Sequence, residues 1–274
     1  MNISDPQDYI FRRLHMIRTF SERRVGPTVL ATIEVNMENA LKYRDELNKT
    51  SNIHISVNDM IIKATGNALT KHRLFTWAYN GRYRLFPTDK IDIRVPVDAG
   101  DDLGLLVIRD VDKKTIFEIG NETKKGLENV KNTSQERIER LAKINKRIKL
   151  LRPAITLIRN LFDIATLFSK DMEEWIYEKH REAMGTFLIS NLGKLGVNDF
   201  ASPIVTPSIV QLNVSSIEKK MVLENGELRE IPVVKLIGKL DHRITDVAQT
   251  VRFLRDIKKN LEEPEEGLKK LEGV

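Results

Sequence analysis

The chain has 274 residues, 41% hydrophobic and 31% charged, which suits a globular protein with ample material for a core. Its net charge of +6 favours anionic partners, but only 6% of residues are aromatic and no recognition motif is present, so we expect no nucleic-acid partner. The absence of cysteine excludes disulfides, thiol catalysis and metal sites built on thiolates.

The first part of the chain predicts alternating helices and strands. Residues 6–22 have the pattern of a helix, 28–37 alternate like a strand, and 39–48 are again helical. A longer helix is expected from Ser56, a plausible N-cap, through Leu69. We therefore expect a mixed α/β fold.

Two further strands follow on either side of an acidic loop. Strict alternation over 90–97 and the apolar run 105–111 predict the strands, and a helix is expected from Thr115. The aspartates in and around this loop are Asp98, Asp101, Asp102, Asp110 and Asp112. Their spacing is not that of a calcium-binding loop, so we interpret them as an exposed turn and predict no metal site.

Residues 126–184 have no strand pattern and predict a helical insertion. From 150 to 170, polar residues recur every three or four positions in an apolar run, which indicates a helix with a narrow polar stripe. Charged residues and a proline within the run argue against a membrane span. We favour burial against the core or a partner subunit; membrane-surface contact through about 148–168, or a lid over an apolar acyl group, stays open. The opening residues lack the apolar segment of a secretion signal, so we expect a cytoplasmic protein.

The last third of the chain returns to strands. They are predicted at 185–190, 209–214, 221–224, 228–234 and 233–240. Asn225-Gly226 predicts a tight hairpin turn, because both residues tolerate positive φ. A helix with apolar residues from 247 to 261 ends before Pro264.

The segment from Asp241 to Asp246 sets His242 at the junction between the last strand and this helix. Histidine exchanges a proton near neutral pH, as general acid–base chemistry requires. The spacing is also that of an ordinary helix start, in which Asp246 caps the helix or pairs locally. The segment alone does not decide between a catalytic and a structural role.

Four segments, in order, resemble the catalytic domain of dihydrolipoyl acyltransferases, the core components of 2-oxo acid dehydrogenase complexes, which is built like chloramphenicol acetyltransferase. They are residues 55–69, 104–120, 185–207 and 240–264. The resemblance implies a two-layer α/β sandwich, with helices flanking a mixed β-sheet, in one domain over 1–274 with the helical insertion at about 126–184. No lipoyl domain precedes the matching region, so we expect a free-standing enzyme.

The resemblance also implies a site. His242 corresponds to the base that deprotonates the acceptor thiol, alcohol or amine, and Ser190 to the donor that hydrogen-bonds the oxyanion. A thioester needs no acid to expel its sulfur, so one base and one oxyanion donor suffice. Without the resemblance, Ser190 would be interpreted as a buried hydroxyl bonded to backbone at the end of its strand.

Further residues take supporting roles in this comparison. Asp246 corresponds to a structural aspartate that pairs with an arginine, for which Arg18 and Arg23 are the candidates. Asn191 and Arg243, beside the two catalytic positions, are predicted to contact coenzyme A.

Three functions stay open. The first is an acyltransferase that moves an acyl group from coenzyme A to a small acceptor; the second is the core of a 2-oxo acid dehydrogenase complex that uses a lipoyl group on a separate chain. The third is a non-catalytic scaffold, suggested by Val247, which stands where the family has glycine. In each case the resemblance implies a homotrimer, with active sites at the subunit interfaces.

Overall fold

The computed structural model describes residues 27–80, 84–98, 103–130, 169–204 and 207–270. The strands within them are β1 (Thr28–Asn36), β2 (Ala78–Tyr79), β3 (Leu85–Phe86), β4 (Ile93–Asp98), β5 (Leu103–Ile108), β6 (Phe187–Asn191), β7 (Val210–Val214), β8 (Glu218–Glu224) and β9 (Glu227–Asp241). The α-helices are α1 (Glu38–Thr50), α2 (Val57–Leu69), α3 (116–130), α4 (Lys170–Met184), α5 (Val247–Glu262) and α6 (Pro264–Gly267). The predicted helix over 6–22 lies outside the described residues, as do Arg18 and Arg23.

Seven strands form one mixed sheet in the order β1-β9-β7-β6-β4-β5, with β8 also paired to β9. The pairs β4–β6 and β6–β7 are parallel, and the others are antiparallel. The central strand β7 lies between β9 and β6 and is buried along its whole length. The predicted mixed sheet is therefore confirmed.

Strand β9 joins two strands that the sequence pattern separates, 228–234 and 233–240, into one strand of 15 residues. Its first half is exposed and pairs with β8, while its second half is buried between β1 and β7. The pattern of buried and exposed residues changes where β9 exchanges β8 for β1 and β7 as its partners. This change explains why the sequence pattern predicts two strands. Asn225 and Gly226 turn the hairpin with φ of 53° and 85°, as predicted.

Helices α1, α2 and α5 cover one face of the sheet and enclose the main core with it. Helix α2 begins with a capping box: Asp59 N–H donates to the Ser56 hydroxyl, and the Asp59 carboxylate accepts from Ser56 N–H. The predicted cap at Ser56 is thus confirmed. The helix is buried at almost every position, since it lies between the sheet and α5.

Helix α4 occupies the end of the predicted insertion and packs beside the small β2–β3 sheet. Glu173 accepts from the Arg84 guanidinium (2.9 Å), and the rings of Phe86 and Tyr177 stack with centroids 4.4 Å apart. The stretch 148–168, for which membrane-surface contact stayed open, lies outside the described residues. Among the helices that the structure describes, none is long and apolar enough to cross a membrane.

The acidic loop is only partly an exposed turn. Asp98 is exposed, whereas Asp101 and Asp102 lie outside the described residues. Asp112 is 2% exposed, so its assignment to an exposed turn is wrong. The chain places it in a 3₁₀ turn beneath α2, where Lys63 Nζ donates to its backbone carbonyl (3.3 Å).

Candidate active site

The turn that follows β9 is held by backbone hydrogen bonds on both sides. Asp241 N–H donates to the Ile209 carbonyl (2.9 Å), and His242 N–H donates to the Pro27 carbonyl (2.9 Å). The Asp241 carbonyl accepts from Ile244 and Thr245 N–H (3.1 and 3.3 Å). These bonds fix the backbone of His242 against both neighbouring strands.

Close packing of α5 on β9 determines the position of the helix that follows the turn. A Cβ at Gly238 would lie 2.7 Å from Thr250 Cγ2, so only glycine lets the helix approach the strand this closely. Val247, where the family has glycine, is the first residue of α5 and packs against the core, partly buried. The chain therefore accommodates this β-branched side chain at the start of the helix.

The imidazole of His242 is oriented by a backbone carbonyl. Its Nδ1 lies 3.1 Å from the Thr245 carbonyl oxygen. Because a carbonyl only accepts hydrogen bonds, Nδ1 carries the proton in the neutral ring and Nε2 keeps its lone pair. The side chain is 44% exposed, so this lone pair is open to a substrate.

Asp246 is the least constrained of the predicted residues. It occupies the N-cap position of α5, but its side chain makes no capping hydrogen bond and is 77% exposed. Its carboxylate is 3.8 Å from His242 Nδ1, beyond hydrogen-bond range. No arginine pairs with it among the described residues, and the two candidates, Arg18 and Arg23, fall outside them.

Asp241, which the sequence analysis did not single out, is the carboxylate that holds an arginine here. It is 3% exposed and accepts from Arg243 N–H (3.0 Å) and Nε–H (2.9 Å). The hydrogen bond with Asp241 raises the pKa of Arg243, whose guanidinium also lies 5.2 Å from the centroid of the Tyr79 ring. A signal was present, because Asp241 interrupts the apolar neighbours Leu240 and Ile244. The predicted contact of Arg243 with coenzyme A stays a prediction.

Ser190 lies on β6 and faces away from the helical layer, since Phe187 and Ile189 on the same strand point into the core. Its residue is 9% exposed. Within the described residues, the Ser190 hydroxyl has no hydrogen-bond partner. The alternative interpretation, a hydroxyl bonded to backbone, does not hold there. The O–H is therefore available to a ligand.

Asn191, the next residue, points to the opposite face. Its amide donates to Asn58 Oδ1 (3.2 Å) on α2, and its own Oδ1 accepts from Gly193 N–H (2.8 Å). Both ends of the side chain shape the loop after β6. Its predicted contact with coenzyme A stays a prediction.

A polar network missed by the sequence analysis lies beside Ser190. Asn213, its partner on β7, accepts from the Ser202 hydroxyl (2.6 Å) and donates to the Ile237 carbonyl (3.2 Å). Gln211 donates to the Ser202 carbonyl (2.6 Å). These bonds fasten the loop after β6 over the face that carries Ser190. Buried amides on a strand were the available signal.

Within one chain, Ser190 and His242 are far apart. Ser190 pairs with Asn213, which pairs with Ile237 on β9, five residues before His242. Five strand residues and two strand spacings separate their Cα atoms by roughly 19 Å. The His242 ring also turns towards the start of α5, on the other side of the sheet from Ser190. Within one chain, the two side chains are therefore too far apart to contact the same small group.

In the described part of the chain, no group of three or more histidine, aspartate or glutamate side chains is placed to hold an ion. The candidate site consists of an imidazole with a free lone pair, a separate hydroxyl donor and the Asp241–Arg243 pair that braces the turn. Such groups suit acyl transfer.

The sequence model of the family described as 2-oxoacid dehydrogenases acyltransferase (catalytic domain) matches residues 10–139 and 164–268. The chain therefore belongs to this acyltransferase family, as the resemblance implied. The match leaves out residues 140–163, which lie inside the predicted insertion.

The relatives are named as acetyltransferase components of pyruvate dehydrogenase complexes. The chain is 27% identical over 260 residues to the dihydrolipoyllysine-residue acetyltransferase component of the mitochondrial pyruvate dehydrogenase complex of Dictyostelium discoideum, covering 92% of this chain and 34% of that protein. It is 26% identical over 268 residues to the corresponding component of Zymomonas mobilis, covering 96% and 50%. The chain thus spans between a third and a half of these relatives.

Solved structures show the same fold. A probable dihydrolipoamide acetyltransferase from Listeria monocytogenes superimposes with a TM-score of 0.67 at 22% identity, covering 96% of this chain and 94% of that one. A truncated catalytic core of the 2-oxoacid dehydrogenase multienzyme complex from Thermoplasma acidophilum gives 0.65 at 19% identity, covering 96% and 98%. The predicted α/β fold, a mixed sheet flanked by helices, is confirmed.

Proposed function

We propose that this protein transfers acyl groups between a dihydrolipoyl group and coenzyme A, as the core acyltransferase of a 2-oxo acid dehydrogenase complex. The observation that carries the proposal is the orientation of His242, whose Nδ1–H is bonded to the Thr245 carbonyl and whose Nε2 is free. Family membership and the names of the relatives support the choice of reaction and carriers.

The reaction needs two groups of the chain. His242 Nε2 takes the proton of the acceptor thiol, and the thiolate attacks the thioester carbonyl. The Ser190 O–H then donates to the oxyanion of the tetrahedral intermediate, which collapses as the other thiolate leaves and His242 returns the proton. A positioned base contributes about 10²–10⁴ in rate, and one oxyanion donor about 10²–10³.

The separation of Ser190 and His242 argues for a site shared between subunits. Since one chain keeps the two residues roughly 19 Å apart, the serine of one subunit must face the histidine of another. We infer a homotrimer with three such sites, in keeping with the arrangement that the resemblance implies. A monomer would then be inactive.

The test is acyl transfer by the purified protein from a panel of acyl-coenzyme A thioesters to dihydrolipoamide, followed by mass spectrometry. We expect His242→Ala to lower the rate about 10²–10⁴-fold, because the base is lost. His54→Ala, at an exposed histidine, is the matched control and should leave the rate unchanged. Equal rates for His242→Ala and wild type would overturn the mechanism.

The other two functions are separated by the same assay. Small alcohols and amines offered in place of dihydrolipoamide test the free-standing enzyme: His242-dependent transfer to one of them, with none to dihydrolipoamide, would replace the lipoyl proposal. A folded oligomer that turns over no thioester with any acceptor would instead favour the scaffold.

A further inference from the structure

A small cavity lies between β4, α4 and the residues just before β7, apart from the groups used in the mechanism. Its volume is about 10 Å³, enough for one particle of the size of a water molecule. Its walls include three basic residues, Arg94, His180 and Arg181, and the hydroxyl-bearing Ser208. Basic groups around a small, partly open space can hold an anion.

Arg94 is a partly buried cation without a counter-ion in the described part of the chain. Its guanidinium donates to the Ser208 hydroxyl (2.8 Å), a neutral partner, and no carboxylate contacts it there. Burial lowers the pKa of Arg94 to about 10. A buried charge is costly unless an opposite charge or several hydrogen bonds compensate it.

Two further nitrogens of the cavity walls are buried and have no partner, His180 Nε2 and Arg181 Nε. Arg181 is 9% exposed, and its terminal nitrogens are bound elsewhere, to the Pro87 carbonyl (2.9 Å) and the Glu178 carboxylate (2.6 Å). Burial, reinforced by the charge of Arg94, lowers the pKa of His180 to about 4. The cavity therefore offers the unused Nε–H of Arg181, a ring nitrogen of His180 and positive charge, and among the described residues no acid faces Arg94.

We propose that this cavity binds one small monovalent anion, of the size of chloride. The anion would neutralise Arg94 and accept from Arg181 Nε–H, the donor left without a partner. The small space favours a monatomic anion over phosphate and organic carboxylates, which are larger. A water molecule would fit, but it would leave the charge of Arg94 uncompensated. The site is independent of acyl transfer and would stabilise the packing of α4 on the sheet.

The first experiment is the thermal unfolding of the intact protein as sodium gluconate is replaced by sodium chloride at constant ionic strength. Gluconate, a bulky organic carboxylate, serves as the reference anion. Above the dissociation constant, we expect the Tm of wild type to rise by roughly 3 °C for each tenfold increase in chloride. The rise should disappear in Arg94→Met, which removes the charge, and persist in Arg229→Met, at an exposed arginine of the β8–β9 hairpin.

The second experiment locates the anion in wild type, so it does not depend on the folding of a variant. Crystals grown in bromide should show one anomalous peak between Arg94 and His180. An ordered water there, or a chloride response that is equal in wild type and Arg94→Met, would overturn the proposal. A bromide peak without any chloride-dependent Tm would mean binding at crystal concentration only, and would overturn it as well.

Discussion

A backbone carbonyl, rather than a carboxylate, orients His242, the proposed base. The Thr245 carbonyl holds Nδ1–H of His242, and Asp246 stays largely exposed at 3.8 Å. A carbonyl in a hydrogen-bonded turn moves less than a solvated side chain, so the direction of the Nε2 lone pair depends on the turn. The orientation of His242 therefore depends on the stability of this turn.

Asp241→Asn tests the brace of the turn. The substitution keeps the size of the side chain but removes the charge that holds Arg243, and we expect it to lower the free energy of unfolding by about 1–3 kcal/mol. Urea unfolding followed by circular dichroism measures the change. Asp45→Asn, in an exposed pair with Arg44, is the matched control and should change stability by less than about 0.5 kcal/mol. Equal effects of the two variants would show that Asp241 does not brace the turn.

At the scale of elements, the contact between β9 and α5 determines where the histidine lies. Gly238 on the strand and Thr250 on the helix pack closely together, and Thr250 is fully buried. Interiors are packed too densely to absorb an added methyl group without movement. Any displacement of α5 reaches the turn, because the helix starts one residue after Asp246.

Gly238→Ala should lower the free energy of unfolding by about 1–3 kcal/mol, since the new Cβ would meet Thr250 Cγ2 at 2.7 Å. Thr250→Ser deletes that methyl group and keeps the hydroxyl. In the double variant, the two costs should be less than additive by at least about 0.5 kcal/mol in urea unfolding. Strict additivity would contradict the proposed contact.

Lys63, on α2, makes the free energy of unfolding depend on pH in the alkaline range. Burial lowers its pKa from 10.5 to about 8 in the folded protein, so between these pH values the unfolded chain binds more protons. The free energy of unfolding therefore rises with pH across this window, and the burial cost is fully present below it. From pH 8 to pH 10, wild type should gain about 2 kcal/mol relative to Lys63→Gln. Urea titrations at pH 8, 9 and 10 measure this; parallel pH profiles would refute it.

At the scale of the whole molecule, the proposed site is divided. The β6–β7–β9 register separates Ser190 from His242 within each chain, so the proposed mechanism needs two subunits at each site. Because of this division, two inactive variants, one at each residue, are expected to complement each other when their subunits are mixed.

Mixing Ser190→Ala and His242→Ala subunits should restore activity that neither variant has alone. If each site takes its serine and its histidine from different chains, a random equal mixture contains about one quarter intact sites. The measurement is acyl transfer after the two variants are unfolded and refolded together, compared with each refolded separately. A mixture no more active than the variants would place both groups in one chain.

Much of the fold was predictable from local pattern. The strand over 28–37, the helix capped by Ser56 and the Asn225-Gly226 turn depend on alternation, capping and positive φ, which are properties of neighbouring residues. His242 was predictable for a related reason, because a histidine between a strand and a helix is visible in sequence. Its proton-bearing nitrogen was not, because the carbonyl that determines it belongs to a turn whose geometry depends on packing.

The sequence by itself determined the order of helices and strands, the family and the histidine at the strand-to-helix junction. Only the tertiary structure decided that Asp241 holds Arg243, that Asp112 is buried, and that Ser190 and His242 leave opposite sides of the sheet. The physical reason is that burial, ion pairing and facing direction depend on residues distant in the chain. The pattern within one segment does not reveal where those distant residues lie.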